Sequence, residues 1–217
     1  MPLMRPFTAD DLIACYRRGV FPMAESRGDK GVFLVDPEWR CTLPLKTFHT
    51  PKRLKRTLRT DRFQFSIDRD FERVIDLCAE AAPDREDTWI NADIRALYLE
   101  LQQRGIAHSV EARREGALVG GLYGVALGGA FFGESMFSRE TDASKAALVH
   151  LVARLRFGRF RLLDAQFLTA HLEQFGAQTT PRKVFKLMLQ AALAAEGDFA
   201  ALPIETKGAE LLSILAA

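Results

Sequence analysis

Residues 131–138 read Phe-Phe-Gly-Glu-Ser-Met-Phe-Ser, a carboxylate and two hydroxyls set in an apolar run. A carboxylate that apolar neighbours bury must be paired, protonated or used. Glu134 therefore either faces a site or pairs with an arginine for structure. A second group follows at 161–168. In a strand, alternation puts Leu162, Asp164 and Gln166 on one face and Leu163, Ala165 and Phe167 on the other. Asp164 and Gln166 would then lie about 7 Å apart and point the same way. Two carboxylates and an amide in one place can exchange protons and hold donors. A serine-hydrolase reading is also available, because Ser135, Asp164 and His171 follow the order Ser, Asp, His. Gly133-Glu134-Ser135-Met136-Phe137 lacks the second glycine of a nucleophile elbow, and the strands before it read as antiparallel, so that chemistry is disfavoured.

The elements that must position these residues can be read from periodicity. From Ala107 the period is two: strands over 107–111, 118–125 and 130–137, with turns at 114–116 and Gly128-Gly129, form an antiparallel meander. In the third strand Phe132, Glu134 and Met136 are expected on one face. Asp142 is expected to cap a helix over about 143–157, and a fourth strand follows Gly158. A helix joining strands three and four makes a right-handed parallel crossover, which sets Glu134 and Asp164 on neighbouring strands.

Upstream, Thr8 and Asp11 have capping-box spacing for a helix over 9–18, with Leu12, Ile13 and Tyr16 on one face and Gly19 as the stop. An apolar turn at 19–23 and a strand over 32–35 lead to a soft domain boundary at 36–38. A basic run follows: Lys46, Lys52, Arg53, Lys55, Arg56, Arg59 and Arg62, with Leu54 and Leu58 on the opposite helical face. It is either a solvated face or a contact for nucleic-acid phosphates. Residues 63–67 alternate as a strand, Asp68 is expected to cap the next helix, and 83–87 form a charged loop. Asn91 is an N-cap for a helix carrying Ile94, Leu97, Tyr98 and Leu101. Trp89 sits just before it, as a core residue or as a flat stacking platform. A last helix is expected from Thr180-Pro181.

Composition narrows the function classes. The 217 residues are 48% hydrophobic and 27% charged, enough for one domain, or one with a small appendage, around a sizeable core. A net charge of +2 is too small to imply a polyanion partner by itself. Three cysteines, Cys15, Cys41 and Cys78, are odd in number and lack metal-ligand spacing, which points to buried thiols in the cytoplasm and to no metal. The first residues contain no apolar stretch of a signal peptide. The uncharged segment 116–133 is long enough to span a membrane, but its glycine pairs favour two buried strands and no membrane.

The expected fold class is thus α+β. Three antiparallel strands, a helix and a strand look like the core of acetyl-CoA-dependent N-acetyltransferases: a GNAT-like mixed sheet flanked by helices over 39–217, after a small N-terminal α/β domain over 1–38. An acyl-CoA N-acyltransferase would normally carry a glycine-rich pyrophosphate loop where strand three meets the helix. Here that place reads Ser-Arg-Glu-Thr-Asp-Ala-Ser-Lys over 138–145, with no glycine. No cofactor is expected.

Taken together, Gly19-Val20-Phe21-Pro22, Thr88-Trp89-Ile90, Ala107-His108-Ser109-Val110-Glu111, the run 118–124, 133–138 with Ala143-Ser144-Lys145, and Leu163-Asp164-Ala165-Gln166 resemble the leucyl/phenylalanyl-tRNA–protein transferase family. The resemblance covers most of the chain. It implies transfer of Leu or Phe, with Met a further candidate, from aminoacyl-tRNA to an N-terminal Arg or Lys of a protein, marking that protein for degradation by the N-end rule. Carried over by motif position, Trp89 would stack on the terminal adenine. Leu122, Phe131, Leu151 and Leu163 would line the pocket for the transferred side chain, and Glu134, Asp164 and Gln166 would form the catalytic and acceptor-binding group. Asp164 would favour the charge developing on the amine directly or through Gln166, whose NH2 would bond to Asp164. Lys52, Arg53, Lys55 and Arg56 would contact tRNA. A non-catalytic tRNA-binding protein is the alternative from another class, which the intact Glu134, Asp164 and Gln166 disfavour. By the same carry-over Met23 would be a substrate-binding residue, at the second platform for the adenine or the side chain. The chain departs from the family pattern at Met23 and Arg113, where many relatives carry Trp, and its segment before Thr8 is shorter than in many members.

Overall fold

The structure is a computed structural model and describes residues 7–81 and 87–217. The chain opens with α1 (Ala9–Arg17), closed by a capping box in which Asp11 N donates to Thr8 Oγ1 and Thr8 N donates to the Asp11 carboxylate at 2.9 Å. Gly19, at φ +77°, turns the chain out of the helix. The apolar turn expected next is a strand, β1 (Phe21–Met23), which pairs antiparallel with β2 (Phe33–Val35). Then come β3 (Trp39–Leu43), α2 (Lys52–Arg59), β4 (Gln64–Ile67), α3 (Phe71–Cys78), α4 (Ala92–Gln103), β5 (Ala107–Arg114), β6 (Ala117–Leu127), β7 (Ala130–Ser138), α5 (Ala143–Phe157), β8 (Leu162–Gln166), the single turn α6 (Ala170–Glu173), β9 (Gln178–Pro181), α7 (Arg182–Leu193) and α8 (Gly208–Ala216).

Among the described residues, seven strands form one mixed sheet in the order β4-β5-β6-β7-β8-β3-β9. Every neighbouring pair is antiparallel except β7 and β8, which α5 joins as a parallel crossover. The uncharged segment 116–133 supplies all of β6 and the start of β7, mostly buried at the sheet centre. One face of the sheet packs on α1, α3, α4 and α7; Leu12, Tyr16, Phe21, Val74, Tyr98 and Phe185 share that core with Phe132 and Tyr123. The other face packs on α5, with Leu54 and Leu58 of α2 in the same core as Phe131, Leu122 and Leu163. Gly120 permits the close approach of α5: a Cβ there would lie 2.6 Å from that of Ala143.

Several local expectations are corrected. β3 and β9 are strands of the main sheet, which short, weakly alternating segments did not signal. Pro181 stands at the N-cap of α7 rather than in its first turn, and α8 follows what was read as the last helix. Asp70, not Asp68, occupies the N-cap of α3; Asp68 is left-handed at φ 55° and its carboxylate accepts instead from Ser109 N at 2.6 Å. Asp142 does precede α5 but is left-handed and makes no capping bond; Ser138 Oγ accepts from Ser144 N in its place. Of the loop expected at 83–87, residues 83–86 lie outside the described residues. The three cysteines are buried and unbridged.

Candidate active site

The parallel pairing of β7 with β8 covers only Ala130↔Leu162, Phe131↔Leu163 and Phe132↔Asp164. Beyond that point β7 stays paired to β6 while β8 turns away, and a cleft of about 650 Å³ opens at the carboxyl ends of the two strands. Ligand clefts form at such ends because strand-terminal side chains and backbone converge there without a neighbouring strand to cover them.

A β-bulge aims Glu134. Tyr123 faces Ser135 and Gly124 faces Gly133, so Glu134 is the extra residue on β7. It keeps the side of Phe132, toward α1 and α4, but the inserted residue reverses the alternation after it. Met136 therefore packs with the opposite core, among Phe131 and Leu122, and does not share the face of Phe132 and Glu134 as strict alternation predicts. Tyr16 Oη donates to Glu134 Oε1 at 2.6 Å, Tyr98 Oη lies 2.8 Å from Oε2, and the two hydroxyls are 2.5 Å apart. Withdrawal from water raises the Glu134 carboxyl to about 7; the tyrosine hydrogen bonds and Arg40 oppose that rise, and the charge of Asp164 adds to it. The same burial pushes both tyrosine hydroxyls well above their ordinary range.

Asp164 is fully buried and its charge is met by one partner. Arg40 Nε donates to Oδ1 at 2.8 Å and Arg40 Nη2 to Oδ2 at 2.6 Å. The guanidinium lies between the rings of Phe21 and Phe185, at 4.4 and 4.7 Å, and its third nitrogen donates to Gly19 O at 2.9 Å. This two-pronged pairing is the strong form of an ion pair. Gln166 ends β8 in a left-handed conformation, φ 54°, and its backbone N donates to Asp164 Oδ1 at 3.1 Å. The Gln166 amide turns to the other carboxylate: Nε2 donates to Glu134 Oε1 at 3.3 Å, not to Asp164 as expected. The reason is the turn at Gln166, which takes its side chain out of register with that of Asp164.

Leu122, Leu151 and Leu163 line the apolar end of the cleft together with Leu43 and Leu148. Phe131, expected beside them, stands behind this wall, fully buried and stacked on Phe199 at 5.6 Å. Trp89 and Met23 line the cleft and are both partly buried against the core; Ala24 N donates to Trp89 O at 3.3 Å, tying the two segments together. Arg113 is not on the cleft wall; it bonds Ser66, Asp70 and Gly116 O at the far end of β5.

The basic run forms α2 as expected, with Leu54 and Leu58 buried, Lys52, Arg53 and Arg56 exposed, and Lys55 half-buried. Its Arg53 is 3.9 Å from Asp142, two residues before Ser144 on the cleft wall, so the helix flanks the cleft. Arg62 is not a free cation of this surface, since it pairs with Glu140 at 2.8 Å. Tyr16, Tyr98 and Arg40 are the cleft-supporting residues that sequence reasoning missed. Tyr16 and Tyr98 showed only as inward positions of amphipathic helices, and nothing local pairs Arg40 with a residue 124 positions away.

A mixed sheet whose parallel strands part over an apolar pocket, with a protonatable carboxyl and an amide at the pocket's polar end, defines an α+β protein with an enzyme-like cleft. Comparison with known proteins makes this particular. The profile of the leucyl/phenylalanyl-tRNA protein transferase family matches residues 42–190, and that of the family's N-terminal domain matches 5–38. Proteins called leucyl/phenylalanyl-tRNA–protein transferase are similar along nearly the whole chain. That of Caulobacter vibrioides is 56% identical over 209 residues, covering 96% of each chain. That of Maricaulis maris is 55% identical over 209 residues, covering 96% of this chain and 97% of its own. That of Phenylobacterium zucineum is 59% identical over 199 residues, covering 92% and 90%. The chain belongs to the leucyl/phenylalanyl-tRNA–protein transferase family.

Proposed function

We propose that this enzyme transfers Leu or Phe from aminoacyl-tRNA to the N-terminal Arg or Lys of acceptor proteins in the cytoplasm, marking them for degradation, on an N-acetyltransferase-like sheet. The observation that carries this reading is the juxtaposition in one cleft of a leucine-lined pocket, the Trp89 side chain and the Glu134–Gln166 pair. An aminoacyl ester is already activated, so the protein has mainly to position an amine and manage its proton. Leu122, Leu151 and Leu163 take the apolar side chain, which such a pocket favours over polar ones while discriminating weakly among apolar ones. Trp89, with Met23 beside it, stacks on the terminal adenine. Gln166 holds the acceptor amine by its carbonyl oxygen, and Glu134 exchanges the proton. Asp164, neutralised by Arg40, fixes the turn that presents Gln166, which makes it a positioning residue. Lys52, Arg53, Lys55 and Arg56 hold tRNA phosphates beside the cleft. An acyl-CoA reading fits less well, because the start of α5 presents Asp142 and the bonded amide of Ser144 where a pyrophosphate would need open amides.

The test incubates the protein with radiolabelled Leu-tRNA or Phe-tRNA and model proteins beginning with Arg, Lys, Asp or Glu. Label is expected on the Arg and Lys proteins alone; label on none of the four rejects the proposal.

A further inference from the structure

Glu134, Tyr16 and Tyr98 touch one another in three places: Tyr16 Oη to Glu134 Oε1, Tyr98 Oη to Glu134 Oε2, and hydroxyl to hydroxyl. Each hydrogen bond needs one proton, and each tyrosine hydroxyl brings one. With Glu134 ionised, two protons serve three contacts, and one pair of oxygens is held together with nothing between them. With Glu134 neutral there are three protons for three contacts, and every member donates once and accepts once. We infer that Glu134, Tyr16 and Tyr98 form a closed ring of three hydrogen bonds that stores one proton on Glu134, so that the resting site is a proton donor.

Gln166 sets the direction of the ring. Its Nε2 donates to Oε1, which also accepts from Tyr16, so Oε1 is the carbonyl oxygen. Oε2 then carries the proton and donates to Tyr98 Oη, Tyr98 donates to Tyr16 Oη, and Tyr16 donates back to Oε1. Such a ring polarises each bond through the others, with both tyrosines fully buried behind the half-buried Glu134. The titratable and charged groups facing it are Tyr123 of β6, edge-on to Tyr98 at 5.2 Å, and Asp164 and Arg40 of β8 and β3, which neutralise each other. None supplies a net positive charge that would ionise Glu134. The elevated carboxyl, at about 7, agrees with a neutral acid.

The use of this proton rests on the function proposed above. As the amine attacks the ester carbonyl, the C–N bond forms and the bond from carbonyl carbon to ribose oxygen breaks. Glu134 gives its proton to the departing ribose oxygen, and the nitrogen, on becoming an amide, returns one proton to Glu134. Atoms and charge balance, and the ring is restored with three protons.

The experiment is infrared difference spectroscopy of the free protein against Glu134→Gln, following the carboxylic acid C=O band of Glu134 as pH is raised from about 5 to about 9. The band is expected at the acid end and is lost with a midpoint near the value of about 7. The sign of the shift in Tyr98→Phe decides the matter. The neutral ring loses two hydrogen bonds in that variant and the ionised form loses one, so the midpoint should fall by about one on the pH scale. If the tyrosines are independent donors to a carboxylate, removing one raises the midpoint, and that result overturns the ring. Absence of the wild-type band at the acid end overturns it as well. Tyr16→Phe carries the same expectation should Tyr98→Phe not fold. Because the readout needs no tRNA, a lowered midpoint together with failure of the labelling test leaves the ring standing and removes only the use assigned to its proton.

Discussion

Two polar clusters are buried on opposite faces of the sheet, and they are built differently. On the α1 and α4 side, Glu134, Gln166, Asp164 and Arg40 satisfy one another through Tyr16, Tyr98 and the Gly19 carbonyl, and the cluster opens onto the cleft. On the α5 side, His150 is buried against Phe65 and Arg154 against Phe199. Arg154 donates from one nitrogen to Phe199 O at 2.6 Å, but its Nε and Nη2, and both His150 nitrogens, have no hydrogen-bond partner among the described residues. Burial lowers His150 to about 3, with the Arg154 charge adding to the fall, and lowers Arg154 to about 10. A satisfied buried network specifies geometry, whereas an unsatisfied one is only a cost to stability. The cluster at the cleft is the one whose geometry is determined, and it is the one that opens to a ligand-sized space.

The largest expected effect separates the two clusters by rate. Glu134→Gln preserves shape and hydrogen bonding but cannot exchange a proton, and should slow single-turnover transfer from Leu-tRNA by about 10²–10⁴-fold. His150→Leu should leave the rate per folded molecule unchanged. A near-wild-type rate for Glu134→Gln would remove the distinction.

Stability should separate them next. Arg40→Met strands Asp164 as an unpaired buried charge and should cost about 3–5 kcal/mol in denaturant unfolding. Arg154→Met removes a cation that is mostly unsatisfied, and should stay within about 1 kcal/mol of wild type or exceed it. Adding Asp164→Asn to Arg40→Met should recover part of the loss, as expected for residues that act as a pair. Equal losses for the two arginines would show that the difference in bonding carries no energy.

The pH dependence of stability should run in opposite directions. The Glu134 carboxyl is raised from its ordinary 4.5 to about 7, so the folded state holds the proton more tightly. The stability linked to it is complete below pH 4.5 and is lost as pH rises toward 7. His150 is depressed from 6.5 to about 3, so its contribution is complete above pH 6.5 and is lost as pH falls toward 3. Glu134→Gln should flatten the first slope and His150→Leu the second, each leaving the other in place. Melting temperatures across the two windows check this.

The smallest effect belongs to the surface that neither cluster touches. Arg56→Glu on α2 should weaken tRNA binding and reduce the slope of log affinity against log salt by about one. An unchanged slope would return α2 to the role of a solvated face.

Much of this arrangement was legible in the chain. Period-two patterning located β5, β6 and β7, and the helix between β7 and β8 required them to be parallel neighbours, which by itself brings Glu134 and Asp164 together. Leu54 and Leu58 announced the buried side of α2. These features are local: backbone geometry repeats every two or 3.6 residues, and apolar spacing reports it. What the tertiary structure decided are pairings across long separations and departures from ideal periodicity. A bulge at Glu134 turned Met136 to the other face, because one inserted residue reverses every later side chain. A left-handed Gln166 sent its amide to Glu134, and Arg40 claimed Asp164 across 124 positions. The two tyrosines that surround Glu134 sit 118 and 36 residues from it, on helices whose patterning marks them only as core. Sequence determined which groups could do chemistry, since that depends on residue type. Which proton each group holds was decided by the fold, because hydrogen-bond partners and withdrawal from water depend on three-dimensional neighbours.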